Sequence, residues 1–264
     1  MRQRLAQALC RLEELEQREA SPSPLHRIDG RAKLLVTIVY TVLLLSVPLT
    51  HLSEVLLFAG YPLLAAPLAG LRYGTLLRRS LIVVPFVAGI GLCNLFEARE
   101  PLFRIGPVAV SVGWVTFWSI LLRGLLSLQA LLLLIYATGY YRLCRALQQL
   151  GVPEPFTTQL LFVHRYLCLL LRESITLSMA REARTFGRHR YPLRTWGPLV
   201  GQLLLRTFDR AARIGQAMAA RGFDGQMPRL PGDTSRWRPL DTLYVAVWCS
   251  LFAGLRLVSP ERLF

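Results

Sequence analysis

The chain has 264 residues, of which 53% are hydrophobic, and it carries 31 lysines and arginines against 16 aspartates and glutamates. A mean hydropathy of +0.40 with only 18% charged residues excludes a disordered or fibrous chain and lies above the usual balance of a soluble domain. The net charge of +15 is compatible with nucleic acid, an acidic partner or a membrane surface, so the placement of the cations must decide between them.

The N-terminal segment, residues 1–33, contains no apolar run followed by a cleavage site, and Arg11 to Glu19 is a charged, helix-prone stretch. We therefore expect a retained segment rather than a cleaved signal peptide. The cysteines are scattered without a C-x-x-C pair, which predicts neither a disulfide framework nor a zinc site.

Five apolar windows are long enough to be membrane spans, since a bilayer core of about 30 Å needs about 20 mostly apolar helical residues. The windows are Leu34–Thr50, Val55–Leu71, Leu81–Phe96, about Phe117–Tyr140 and Leu240–Val258. The stretch from Gly106 to Val112 is open to two interpretations, a hairpin or the start of a sixth, short span. The predicted fold class is an all-α polytopic membrane protein with about five transmembrane helices.

The basic residues are distributed unevenly over the connections between these windows. Seven precede the first window, three lie in the second connection and sixteen lie in residues 141–239. Because lysine and arginine are retained on the cytoplasmic side, the N-terminus and residues 141–239 are predicted to be cytoplasmic. The predicted organisation is a cytoplasmic segment 1–33, four spans in 34–140, a cytoplasmic region 141–239, and a last span with a short tail in 240–264.

The cytoplasmic region is predicted to contain two long helices. The first runs from Phe156 to about Phe186, and the second runs from about Trp196 or Pro198 to Arg221. The second helix has small residues at every fourth position, which predict a close crossing with another helix. These residues are Ala211, Gly215 and Ala219.

The two predicted helices end in similar sequences, with Ala183-Arg184 in the first and Ala220-Arg221-Gly222 in the second. An arginine at a helix C-terminus interacts favourably with the helix dipole and the last carbonyls, which is one interpretation. The other is that a slim helix end enters a groove on a partner protein, where the guanidinium pairs with a carboxylate. Two such ends would make a two-point attachment.

These motifs resemble those of the transmembrane T component of energy-coupling factor (ECF) transporters, the CbiQ/EcfT family, which has two cytoplasmic Ala-Arg-Gly motifs. Thr185 replaces the glycine of the first motif. Further matching landmarks are Ser23-Pro24-Leu25-His26-Arg27-Ile28-Asp29 through Lys33, Gly151-Val152-Pro153, and Arg238-Pro239-Leu240-Asp241. The first and last of these are most similar to the CbiQ branch, which is associated with cobalt uptake for cobalamin synthesis.

The resemblance implies a scaffold subunit in the inner membrane of a prokaryote. Ala183, Arg184, Ala220, Arg221 and Gly222 would dock onto a pair of CbiO-type ABC ATPase subunits, which bind ATP and Mg²⁺. The membrane helices would hold a CbiM-type substrate-binding subunit with a small CbiN-type protein. The chain itself would bind no cofactor, and nickel or a vitamin are the alternative cargoes.

Three other functions were weighed against this one. An enzyme lacks support because the sequence has no His-Glu-x-x-His or nucleophile elbow, and because the sole lysine, Lys33, does not lie in a Walker A loop. Nucleic-acid binding is a weaker explanation of the arginines than lipid headgroups. A stand-alone permease is the stronger alternative, although the predicted spans carry few polar groups. One of these polar groups is Arg123 in the fourth span, which is either a helix-pairing residue or a functional one.

Overall fold

The structure is a computed structural model that describes Leu25 and residues 28–49, 51–97, 101–105, 108–184, 196–223, 225 and 237–257. The chain divides into two compact units, residues 21–146 with 235–264 and residues 147–234. The described part of the chain is helical except for one short hairpin.

The first unit contains the helices and strands that precede residue 147, together with the last helix. Its elements are α1 Gly30–Ser46, α2 Leu52–Phe58, α3 Gly60–Leu68, α4 Tyr73–Ser80, a 3-10 turn Leu81–Val83, α5 Val84–Glu97, β1 Pro101–Ile105, β2 Val108–Ser111, α6 Val112–Thr138, α7 Tyr140–Gln149 and α10 Pro239–Leu257. The last residues of α7 extend into the second unit. The second unit contains the two longest helices of residues 141–239, α8 Glu154–Arg184 and α9 Trp196–Ala220.

The predicted second span is broken into α2 and α3 at Ala59. Pro62 has no N–H, so the carbonyl of Phe58, four residues earlier, lacks its helical partner. That carbonyl instead accepts a hydrogen bond of 3.0 Å from the hydroxyl of Tyr40. The break therefore follows from proline chemistry and is stabilised by a contact from α1.

The stretch near Gly106 forms a hairpin, because β1 pairs with β2 in antiparallel register. Ile105 pairs with Val108, and Gly106 and Pro107 lie outside the described residues. Of the two interpretations of this stretch, the hairpin is confirmed.

An aromatic cluster forms the core of the first unit, where α1, α3 and α10 meet. The ring of Tyr61 lies 4.6 Å from that of Tyr40 and 4.8 Å from that of Trp248, measured between centroids. Phe252 completes the cluster at 5.4 Å from Tyr40. Offset and edge-on ring pairs of this kind add to the stabilisation from burial alone.

Buried polar contacts join the ends of three helices in the same unit. Asp29 caps α1 by accepting a hydrogen bond from the N–H of Arg31, and its own N–H donates to Asp241 Oδ1 of α10 at 2.8 Å. Lys33 Nζ donates to the carbonyl of Ala137 in α6 at 2.8 Å. Asp29, Lys33 and Asp241 are all buried, so the landmarks before the first span and at the start of α10 anchor these helices to each other.

Glycines mark the places where helices of this unit approach most closely. A Cβ added to Gly91 of α5 would lie 2.8 Å from the ring of Phe117 in α6, and one added to Gly124 of α6 would lie 3.0 Å from Val87 of α5. Small residues allow this close packing of two apolar helices. The sequence analysis did not identify either position.

Two helical segments of the described chain are long and apolar enough to cross a membrane by length and composition, Tyr73–Leu92 and Gly113–Thr138. The segment Leu52–Leu68 is apolar but shorter. The helices that match the first and last predicted windows are α1, with 17 residues, and α10, with 19 residues that include Asp241 and Arg256. The part of the chain that the structure describes is thus helical apart from the hairpin, with two candidate spans.

Candidate functional site

The first candidate docking segment is the C-terminal end of α8. This helix begins at Glu154, after Gly151 in a left-handed conformation with φ +100°, and its first turn is stabilised by the bond of 2.8 Å between Gln148 Nε2 and Glu154 Oε1. It ends at Arg184, and both Ala183 and Arg184 are exposed. Thr185, the departure from the family motif, lies outside the described residues.

The second candidate docking segment is the C-terminal end of α9, whose sequence explains its geometry. Gly222 has φ +75°, a left-handed conformation that glycine adopts without steric cost. The N–H of Phe223 donates to Met218 O at 3.0 Å and that of Gly222 donates to Ala219 O at 3.0 Å. This is a Schellman cap, in which the glycine ends the helix and leaves Arg221 as its last, exposed side chain.

We call these two ends the arginine tips, namely Ala183–Arg184 of α8 and Ala220–Gly222 of α9. All five predicted docking residues are exposed, as required for contact with a partner. Their role in docking stays a prediction.

Helices α8 and α9 lie antiparallel. Glu173, in the second half of α8, pairs with Arg206 and Arg210, which lie near the middle of α9, at 2.8 and 3.6 Å. Earlier residues of α8 face later residues of α9, since Phe162 and Met218 line the same groove. Residue numbers therefore rise along one helix as they fall along the other.

The antiparallel arrangement places the arginine tips at opposite ends of the helix pair. Arg221 lines a groove with Arg165, in the first half of α8, whereas Arg184 is the last residue of α8. With a rise of about 1.5 Å per residue, the two tips are on the order of 30 Å apart. The second unit can therefore present two guanidinium groups to two separated sites.

A groove of about 320 Å³ separates parts of α8 and α9. Ala211 and Gly215 line it together with apolar side chains of α8, and a Cβ added to Gly215 would meet no atom within 4 Å. Ala219 is exposed. The helix crossing predicted at Ala211, Gly215 and Ala219 stays a prediction.

Arg123 lies in α6 and is buried, with 7% of its surface exposed. Its Nη2 donates to the carbonyl of Pro48 at 2.6 Å, which connects α6 to the segment between α1 and α2. Pro48 precedes α2, where Oε1 of the buried Glu54 lies 3.1 Å from Nδ1 of His51. The contact favours the helix-pairing interpretation of Arg123.

The described residues include no group of three or more His, Cys, Asp and Glu side chains arranged to hold a metal ion. The site therefore consists of the second unit's two exposed helix ends and the groove between their helices.

Comparison with known proteins assigns the family. The model of the CbiQ family, described as cobalt transport protein, matches residues 21–230, which is more than half of the chain. The chain belongs to this family. As a CbiQ family member it is a membrane subunit of a transport system rather than an enzyme.

Named relatives agree with the assignment to ECF T components. The chain is similar to a fused cobalt transport protein CbiMQ of Methanocorpusculum labreanum, 26% identical over 89% of this chain and 41% of the relative. The ECF transporter transmembrane protein EcfT of Heliobacterium modesticaldum is 28% identical over 83% of this chain and 85% of its own length. CbiQ of Salmonella typhimurium is 26% identical over 54% of this chain and 69% of its own length. The chain thus spans about two fifths of the fused relative, and most of the EcfT protein.

Two functional features were not identified from the sequence. The cap at Gly222 was detectable in principle, because a glycine directly after an arginine at the end of a helical pattern is a helix-stop signal. The contact of Glu173 with Arg206 and Arg210 was not, because it joins two helices and depends on their direction.

Proposed function

We propose that this CbiQ family chain is the coupling subunit of an ATP-driven ECF importer. The arginine tips dock onto a pair of CbiO-type ABC ATPase subunits in the cytoplasm, where ATP and Mg²⁺ bind. The observation that carries the proposal is the presence of two exposed arginines at opposite ends of an antiparallel helix pair. A pair of ATPase subunits offers two equivalent sites, and each tip occupies one of them.

The membrane part supports this role as a scaffold. We propose five spans in the inner membrane of a prokaryote with the N-terminus in the cytoplasm, as the distribution of basic residues indicates. The second span consists of α2 and α3, and the hydroxyl of Tyr40 donates a hydrogen bond to the carbonyl of Phe58 at the break between them. These helices hold a CbiM-type substrate-binding subunit and a CbiN-type protein, and the relative in which CbiM and CbiQ are fused supports such a pairing.

The proposed cargo is cobalt ion, which the substrate-binding subunit recognises. Nickel is the second candidate, because a relative named nickel permease LarQ, from Lactiplantibacillus plantarum, is 31% identical over 42% of this chain and 40% of its own length. Uptake of ⁵⁷Co²⁺ and ⁶³Ni²⁺ by cells that express the full complex distinguishes the two. Metal uptake by this chain alone in vesicles would instead establish a stand-alone permease.

The docking role is tested by replacing Arg184 and Arg221 together by alanine. The double variant is expected to insert into the membrane and to lose co-purification with the ATPase, because each removed guanidinium leaves a partner carboxylate unpaired. Loss of more than 90% of uptake is the expected functional result. Arg213→Ala, which removes an exposed arginine within α9, is the matched control and is expected to bind normally. Full ATPase binding by the double variant would overturn the assignment of both arginines.

A further inference from the structure

Apolar packing does little to fix the angle between α8 and α9. None of the 25 residues of α9 is buried, and α8 buries only Thr157, Thr158 and Leu177. The apolar side chains between the helices line an open groove instead of a close-packed interface. Helix pairs usually owe their relative position, including their register, to interdigitated side chains, and such packing is sparse here.

An ionic contact joins the two helices. Glu173 Oε1 lies 2.8 Å from Arg206 Nη1, and its Oε2 lies 3.6 Å from Arg210 Nη2. The two arginines are one turn apart on α9, so both reach the same carboxylate. The side chains of Glu173, Arg206 and Arg210 are 25%, 49% and 40% exposed, so both ion pairs are partly screened by water. We call these three residues the Glu173 clasp.

The Glu173 clasp lies between the arginine tips along the helix pair. Arg184 follows Glu173 by three turns of α8, and Arg221 follows Arg210 by three turns of α9, which is about 16 Å in each case. Because the tips lie in opposite directions from the clasp, a shift of one helix along the other by about 3 Å, as much as a hydrogen-bond length, would change the distance between the tips by about the same amount. The clasp is thus placed where it fixes the register that sets the span between the tips.

We propose that Glu173 is a positioning residue that fixes the span between the two arginine tips, so that both can engage an ATPase pair at the same time. The inference rests on the proposed function and deepens it. Two linked contacts bind more tightly than one only when their spacing matches the spacing of the sites. Without the clasp, each tip still binds, but the second contact no longer adds to the first.

The test measures the affinity of the full-length chain in nanodiscs for the purified CbiO-type ATPase. Glu173→Gln, which keeps the shape and removes the charge, is expected to weaken binding at least tenfold. Glu182→Gln, an exposed glutamate on the same helix, is the matched control and is expected to bind as the wild type does. Arg184→Ala is also expected to weaken binding, because it removes one tip.

The combination of Glu173→Gln with Arg184→Ala separates positioning from a general structural effect. A chain with a single remaining tip makes only one contact, so the distance between the tips no longer affects its binding. The combined variant is therefore expected to bind within about twofold of Arg184→Ala alone. Losses that multiply would show that Glu173 acts independently of the two-point attachment and would overturn the proposal.

Exchange of the charges gives a second, independent readout. A chain with Glu173→Arg, Arg206→Glu and Arg210→Glu restores the pairing and is expected to recover binding to within threefold of the wild type. If the exchanged chain unfolds at the wild-type temperature and still binds as weakly as Glu173→Gln, the clasp does not set the span.

If neither Arg184→Ala nor Arg221→Ala weakens binding, the proposed docking fails. If both weaken it while Glu173→Gln binds like Glu182→Gln, only the positioning role of Glu173 is overturned.

Discussion

At the residue scale, Arg221 and Gly222 show how a three-residue motif can be built from two separate requirements. The glycine favours the left-handed conformation that ends α9, and the exposed arginine lies at that end of the helix. Ala220 keeps the last turn slim. The motif is thus a helix terminus that carries one cation, and its glycine has a structural role whatever the arginine binds.

Arg123 is a residue whose role the structure narrows. Its guanidinium bonds to Pro48 O, but its Nε is buried without a hydrogen-bond partner among the described residues. Arg123→Gln is expected to lower the free energy of unfolding by about 1–3 kcal/mol, because the carbonyl of Pro48 loses its donor and the nearby Glu54 loses a compensating charge. Thermal unfolding in detergent measures this change.

The same variant is expected to retain ATPase binding, since Arg123 stabilises the membrane part and not the tips. Arg123→Lys, which keeps the charge, is the control and is expected to lie between the wild type and Arg123→Gln in stability. A variant Arg123→Gln that is as stable as the wild type but does not transport would give Arg123 a direct role in function instead.

At the element scale, the long helices of the cytoplasmic region were predictable from the sequence and the short elements were not. The predicted starts and ends of α8 and α9 lie within about two residues of those observed, because caps and periodicity mark them. Helix α7 was not predicted. Only Gly139, with φ +79°, separates it from α6, so the sequence gives no sign that a new helix begins there. It is amphipathic, and burial raises the pKa of its Cys144 thiol.

Contacts between distant elements could not be predicted, since no local pattern encodes them. Asp29 and Asp241 are 212 residues apart, and Lys33 and Ala137 are 104 apart. The close approach of α5 and α6 at Gly91 and Gly124 was likewise not predicted. Small residues permit close approach but do not identify the partner helix.

The packing of α5 against α6 predicts a difference between two neighbouring glycines. Gly91→Ala would place a methyl group 2.8 Å from the Phe117 ring and is expected to destabilise the protein by about 1–3 kcal/mol. Gly89→Ala meets no atom within 4 Å and is expected to be neutral or slightly stabilising, because alanine favours helix. Thermal unfolding of both variants in the same detergent gives the comparison. Equal unfolding temperatures would contradict the close helix contact.

At the scale of the whole molecule, a membrane protein and its orientation were predicted mainly from the composition and from the distribution of basic residues along the chain. An apolar chain with a net charge of +15 is explained by membrane helices and by basic residues gathered in the segments predicted to be cytoplasmic. The sequence did not predict the antiparallel direction of α8 and α9, because that direction depends on tertiary contacts. It is this direction that places the two similar motifs at opposite ends of the helix pair.

The most direct test of the central claim asks whether one chain touches two ATPase subunits at the same time. A photo-crosslinking amino acid is placed at both Ala183 and Ala220, which are exposed beside Arg184 and Arg221, and the complete complex is irradiated in the membrane. A chain with the crosslinker at Ala212, an exposed position in the middle of α9, is the control. The account predicts a product of one chain linked to two ATPase subunits, and only single links when one tip is labelled. Absence of ATPase from the crosslinked products, or links to a single subunit from both tips, would contradict it.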